Sequence, residues 1–108
     1  MQMWVPYSGI DPRALSERRE EVWSPHPHHP HLYASNLGRF LFQRGSRWVE
    51  PTSHVEPSGY VKVTLTRKIR PLAHRLVLES FDGLSERRAC RQKGAAKNDN
   101  RLCCLFWK

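Results

Sequence analysis

Residues 59–81 of the chain, GYVKVTLTRKIRPLAHRLVLESF, join a strand pattern to a helix pattern and so decide the fold class. In the first part, apolar residues alternate with polar ones, as they do in a strand with one packed face. The apolar set is Val61, Val63 and Leu65, and the polar set is Lys62, Thr64 and Thr66. In the second part, apolar residues recur at helical spacing behind Pro71, which suits the first turn of a helix, and this leaves Arg75 and Glu79 pointing outward. The pattern predicts a strand over 59–66 and a helix over 72–81.

The residues before this stretch predict further short strands. Segments rich in aromatic and β-branched residues at 32–35, 38–43 and 46–50 are separated by turn residues. The segment 23–30, WSPHPHHP, contains three prolines, and we predict an extended loop there because proline removes a ladder hydrogen bond. Residues 1–19 are expected to form a flexible arm or a short helix with Asp11 as its N-cap and Pro12 at its first position. With a small antiparallel sheet region over 33–66 and one central helix, the predicted class is α+β.

The charge balance favours a polyanionic partner. The chain has 108 residues, enough for one domain, and its 18 Lys and Arg against 10 Asp and Glu give a formal charge of +8. Apolar runs reach only about five residues and no export leader is recognisable, so we expect no membrane partner and place the protein in the cytoplasm. Three cysteines, Cys90, Cys103 and Cys104, fit free thiols better than a disulfide framework or a zinc site.

Three groups of phrases, in order along the chain, resemble the HNH homing endonucleases of phage and bacterial origin. The first is EVWSP (21–25) with YASNLGRF (33–40), and the second is GYVKVTL (59–65) with AHRLVLESF (73–81). The third is CRQKGAAKNDNRLCCLFW (90–107). The resemblance covers roughly residues 20 to 107, and the phrases SNLGR and HRLV are specific in combination.

The resemblance implies a site-specific or nicking DNA endonuclease that uses a divalent metal, Mg²⁺ or Mn²⁺, on double-stranded DNA, with no small-molecule substrate. It places a DNA-binding β module at 20–70 and an HNH nuclease motif at 71–108. In the family this motif is a ββα-metal hairpin with a catalytic His, a Gly-containing turn, an Asn in the phrase Asn-Leu-x-Trp, and a last His or Asn on a following helix. We expect an incomplete version of that hairpin over 89–107.

The sequence departs from the family at the catalytic positions. If Cys90 and Arg91 match the family's Cys-Arg-His phrase, the catalytic His falls on Gln92; if Gly94 matches the family's Gly, it falls on Arg91. Gln has no titratable nitrogen to act as a base. Cys104 stands where the family has the structural Asn, and the sequence stops at Lys108, before the last helix.

We therefore expect a DNA-binding relative with a degenerate nuclease site. The candidate catalytic residues are His74, Gln92 and Asn100, and no metal ligand is assigned. One alternative is an active metal-dependent endonuclease with an unorthodox site made of His74, Asp99 and Asn100. Another is a basic RNA-binding or assembly protein without catalysis. His74 itself is assigned a capping, packing or phosphate-contacting role in preference to that of a base.

Basic residues gather on and beside the predicted strand face. Few acids interrupt them, with only Glu50 and Glu56 between Arg39 and Arg75, and this imbalance favours phosphate contact over a plain solvated face. The candidate DNA-binding residues are Arg39, Arg47, Lys62, Thr64, Arg67, Lys68, Arg70 and Arg75, with Arg44 in the same group.

Two other residue groups are ambiguous. The histidines His26, His28, His29 and His31 could ligate a transition metal, but the intervening prolines favour a solvated loop. The aromatic residues could stack on bases, but a chain of this length needs most of them for its core. They are Trp23, Phe40, Phe42, Trp48, Tyr60 and Phe81.

Overall fold

The computed structural model describes residues 11–108, and within this range the chain forms two α-helices and eight strands. The helices are α1 (Pro12–Glu17) and α2 (Ala73–Asp82). The strands are β1 (Trp23–Pro25), β2 (Leu32–Ser35), β3 (Phe40–Arg44), β4 (Arg47–Val49), β5 (Ser53–Val55), β6 (Val61–Val63), β7 (Ala89–Arg91) and β8 (Leu105–Trp107). A 3₁₀ turn, Leu102–Cys104, directly precedes β8. The predicted α+β class is confirmed, while the first ten residues of the predicted arm lie outside the described range.

Strands β1 to β4 form one antiparallel sheet in chain order, so that β1 and β4 are its edges. The prediction of a loop throughout 23–30 is therefore wrong for the first three residues. The amide of Asn36 donates to the carbonyl of Val22 (3.1 Å) and the amide of His26 donates to the carbonyl of Leu32 (2.9 Å). Because alternate residues of a strand face its partner, the nitrogen of Pro25 faces the open edge, where no ladder hydrogen bond is needed.

The other strands form two antiparallel pairs, β5 with β6 and β7 with β8. Strand β6 is shorter than predicted because the chain turns back after Val63: the amide of Leu65 donates to the carbonyl of Ile69 (2.9 Å). Val63 and Leu65 are buried, as the alternation predicted. Strand β5, which the sequence patterns did not single out, has all three of its residues exposed.

Helix α2 begins at Ala73, one residue after the predicted start, and packs against strands of all three sheets. The expectation that Glu79 points outward is wrong. Its side chain is 12 % exposed and accepts hydrogen bonds from Arg75 Nε (3.2 Å) and from the ring of His26 (2.8 Å). Arg75 also donates to the carbonyls of Arg87 and Ser85, so it fastens α2 to the segment before β7.

The apolar core lies between α2 and the strands that it contacts. Its buried members are Leu32, Ala34, Phe40, Val63, Leu65, Ala73, Leu76, Val77, Leu78, Leu102 and Leu105. The core thus joins the four-stranded sheet, β6 and the segment around β8, and it fixes the β7–β8 hairpin beside the first turn of α2. Within residues 11–108, neither helix combines the length and the apolar composition that a bilayer span requires.

Candidate functional site

A basic cleft of about 320 Å³ lies where the β7–β8 hairpin meets the first turn of α2 and the chain before β6. We call it the hairpin cleft. It is lined by Tyr60, His74, Arg88, Ala89, Cys90, Arg91, Gln92, Ala95 and Lys97. Three of these described residues carry a permanent positive charge and none carries a carboxylate, so the cleft has a positive potential.

The hairpin places Gln92 and Arg91 at this cleft. β7 and β8 pair through Ala89↔Trp107 and Arg91↔Leu105, and the amide of Gln92 continues the ladder by donating to the carbonyl of Cys104 (2.7 Å). The chain then turns through Gly94, whose φ is +91°. Gln92, one of the two positions at which the resemblance predicts the catalytic His, is therefore exposed directly after β7.

Arg91, the other such position, is half-buried and held by hydrogen bonds to neutral oxygens. Its Nε donates to the carbonyl of Asp99 (2.9 Å) and its Nη2 donates to Oδ1 of Asn100. The guanidinium carbon lies 5.5 Å from the ring centre of Tyr60. Burial lowers the pKa of Arg91 from its ordinary value, but an arginine remains charged in proteins.

His74 lines the cleft from the first turn of α2 and is buried. Burial, with the charges of Arg91 and Arg75, lowers its pKa to about 4, against the opposing effect of a backbone hydrogen bond with Ala89. The imidazole is therefore neutral at pH 7. Its Nδ1 is enclosed and makes no hydrogen bond with any described residue.

The three candidate catalytic residues do not share one surface. His74 and Gln92 line the hairpin cleft, whereas Asn100 is buried and lies against Gly38 in the turn between β2 and β3. Asp99, the further member of the alternative site, is not among the lining residues either. It pairs with Arg101 (2.9 Å) and accepts a hydrogen bond from the thiol of Cys104 (3.5 Å). The bond from Arg101 lowers the pKa of Asp99.

The divalent metal that the resemblance implies does not fit these side chains. Mg²⁺ and Mn²⁺ favour carboxylate and carbonyl oxygens, and the one carboxylate in the chain between β7 and β8, that of Asp99, is bound to Arg101. Over residues 11–108, no group of three or more His, Cys, Asp or Glu side chains is placed to hold a metal ion.

Several of the candidate DNA-binding residues come together in a second cleft, which we call the strand cleft. It has a volume of about 360 Å³ and is lined by His54, Glu56, Lys62, Thr64 and Arg70. Lys62 pairs with Glu56 (3.1 Å). Arg67 and Lys68 lie in the exposed loop between β6 and α2, and neither forms an ion pair with a residue of the described range.

The other candidate DNA-binding residues lie elsewhere. Arg44 and Arg47 face each other across the exposed turn between β3 and β4. Arg39 pairs with Glu21 (2.9 Å) and lies over the ring of Trp23. Arg75 is committed to Glu79, to two backbone carbonyls and to the face of Trp107, so its guanidinium is less available for a ligand than the sequence suggested.

The prediction of a solvated histidine loop is wrong for His26, which is buried. His26 has a side chain that is 1 % exposed and bonds Glu79 through Nε2, while its Nδ1 accepts the amides of His28 (3.0 Å) and His29 (3.2 Å). The ring therefore caps the turn that returns the chain to β2. His28 and His31 are exposed.

Sequence reasoning missed Arg88 and Lys97 as members of one site. A signal was present, because residues 87–98 contain five Lys or Arg and no Asp or Glu. Tyr60, which was assigned mainly to the core, is exposed and lines the hairpin cleft. Comparison of the chain with protein-family models, with curated proteins and with solved structures gave no match.

Proposed function

We propose that this protein binds double-stranded DNA as a relative of the HNH homing endonucleases and that its own hairpin does not hydrolyse the DNA. One observation carries the binding part of the proposal: Lys62, Thr64 and Arg70 line one open cleft, and Arg67 and Lys68 extend its charge along the adjoining loop. Cations and hydroxyl groups in this arrangement are suited to contacts with successive phosphate groups.

The charge of this surface is mostly uncompensated. Arg67, Lys68 and Arg70 have no ion pair within the described chain, and Glu56 pairs only with Lys62 and His54 there. A surface that neutralises several phosphates releases the counterions condensed on DNA, and this release supplies affinity that does not depend on sequence.

The non-hydrolytic part rests on the missing chemistry. Phosphodiester hydrolysis in this family needs a base that activates water and a metal that stabilises negative charge. Gln92 and Arg91 cannot accept a proton at neutral pH, and the neutral nitrogen Nδ1 of His74 is enclosed, away from solvent.

The test measures binding of a labelled DNA duplex by fluorescence anisotropy over a series of NaCl concentrations. Arg67→Gln combined with Arg70→Gln should weaken binding and reduce the slope of log affinity against log salt by about two. The matched control is Arg18→Gln with Arg19→Gln, which removes the same charge from exposed positions after α1 and should lower the slope less.

Equal slopes for the two double variants would show that the strand cleft is not the binding face. The same series with a structured RNA tests the alternative of an RNA-binding protein. Tighter binding to that RNA than to the duplex at equal salt would replace the DNA proposal.

A further inference from the structure

Arg91 is a half-buried charge that makes no ion pair within the described chain, although the carboxylate charge of Asp99 favours its charged form. Its two hydrogen bonds go to the uncharged oxygens of Asp99 and Asn100, and its Nη1 makes no hydrogen bond with a described residue. The carboxylate of Asp99 is bound by Arg101. Removing a charge from water is unfavourable unless an opposite charge compensates it. An anion in the hairpin cleft would provide that compensation.

Two further cations lie at the same cleft. Lys97 donates to the carbonyl of Ser58 (2.9 Å) and lies 5.5 Å from the ring centre of Tyr60, the same distance as Arg91. Arg88 lines the cleft and is exposed. The ring of Tyr60 thus lies beside two positive charges, and both attract an anion that enters the cleft.

Among the three cations of the cleft, Arg91 acts electrostatically on His74. The charge of Arg91 contributes to the lowering of the pKa of this histidine, second only to burial. An anion that neutralises Arg91 would therefore raise the pKa of His74.

We propose that the hairpin cleft binds a phosphate group without a metal ion, with Arg91 as the fixed ligand and Arg88 and Lys97 at the rim. A planar carboxylate has two oxygens, and a single guanidinium can donate hydrogen bonds to both of them, so it does not need three cations. A tetrahedral phosphate presents oxygens in several directions and so can contact three separate cations. The phosphate comes either from DNA, in which case the inference rests on the proposed function, or from a free phosphate ion.

The first experiment follows amide NMR signals while sodium phosphate, and then dimethyl phosphate, is added at constant ionic strength. Both ligands should shift the signals of Tyr60 and Gln92 saturably, and the pKa of His74 should rise. Arg88→Gln with Lys97→Gln should weaken phosphate binding by about tenfold, since hydrogen bonds to charged groups are lost. Arg87→Gln with Lys93→Gln is the matched control, because these exposed residues belong to the same segment but do not line the cleft.

The inference is overturned if the shifts do not saturate, or if both double variants reduce them equally. Arg91→Gln provides an independent check, because it should abolish the saturable shift while Arg88 and Lys97 remain. If that variant does not fold, the two rim substitutions still decide the outcome, since their side chains lie at the surface.

The second experiment identifies the source of the phosphate. With duplex DNA, Arg88→Gln and Lys97→Gln should reduce the salt slope by about two relative to the control pair if the phosphate belongs to DNA. An unchanged slope with weakened sodium phosphate binding assigns the cleft to a free phosphate ion. Either result is separate from the test of the strand cleft, which uses Arg67 and Arg70.

Discussion

Asn36, in the phrase SNLGR, is a residue whose role is structural. Its side chain is fully buried and its amide oxygen accepts the backbone amide of Val22 (2.8 Å). Its amide nitrogen donates to the carbonyls of Pro12 (3.1 Å) and Glu20 (2.8 Å). The side chain thereby fastens α1 and the segment after it to the end of β2.

Asn36→Ala should lower the free energy of unfolding by about 3 kcal/mol, because one buried and two partly buried backbone groups lose a partner. Urea denaturation of the two proteins measures the change. Asn98→Ala, at an exposed position, should stay within about 0.5 kcal/mol of the parent. Similar stabilities for Asn36→Ala and the parent would mean that water replaces these hydrogen bonds.

The histidines His26 and His74 should make the fold sensitive to acid. Burial lowers the pKa of both, that of His74 from 6.5 to about 4. Between pH 4 and pH 6.5 the unfolded chain binds more protons than the folded chain. The free energy of unfolding is therefore highest above pH 6.5 and decreases as the pH falls towards 4. The decrease should reach up to about 1.4 kcal/mol per pH unit for His74, and His26 contributes in the same direction.

Urea denaturation at pH 7.5, 6 and 5 checks this dependence. His74→Gln removes one of the two titrating groups and should make the decrease shallower. A stability that is constant or rises between pH 7.5 and 5 would contradict the expectation.

At the scale of elements, the spacing of apolar residues predicted the strands and helices whose bounds depend mainly on neighbouring residues. β2 has the predicted bounds, and α2 differs from its prediction by one residue at each end. These predictions succeed because the spacing of apolar residues follows the buried face of a strand or helix. β1 was missed because Pro25 is compatible with a strand only at an edge, and the position of an edge depends on the other strands. β6 is shorter than predicted because the chain folds back so that Leu65 bonds to Ile69, and the alternation of apolar and polar residues does not indicate such a turn.

The turn between β2 and β3 should tolerate no side chain at Gly38. Its φ is +88°, and a Cβ there would lie 2.9 Å from Cβ and 3.0 Å from the backbone of Asn100. Gly38→Ala should therefore lower the free energy of unfolding by more than about 3 kcal/mol, because the added methyl group would push the β2–β3 turn away from Asn100.

Gly45→Ala is the matched comparison for Gly38. Gly45 also has a positive φ, +62°, but a Cβ there would meet no atom within 4 Å. Its cost should be about 1 kcal/mol, from backbone strain alone. Urea denaturation of both variants separates the two contributions, and equal losses would exclude the close approach of Gly38 to Asn100.

At the scale of the molecule, sequence reasoning found the strand cleft more readily than the hairpin cleft. Lys62 and Thr64 are two residues apart in the predicted strand and so share one face, which makes their common surface a local property. The hairpin cleft instead combines Tyr60, His74 and Lys97 from three separate segments. In the same way, the partnership of His26 with Glu79 depends on tertiary packing, so the outward position assigned to Glu79 from helical spacing alone was wrong.

Supercoiled plasmid should be retarded but not nicked by the protein, whether Mg²⁺, Mn²⁺ or EDTA is present. A gel assay at low salt measures both effects. Gln92→His should not restore cleavage by itself, because a new imidazole supplies a base while no carboxylate lines the hairpin cleft to hold a metal. Metal-dependent nicking by the parent protein that His74→Ala abolishes would contradict this expectation and make His74 the base. Nicking that His74→Ala leaves intact would instead exclude His74, so the base would have to be sought among other residues.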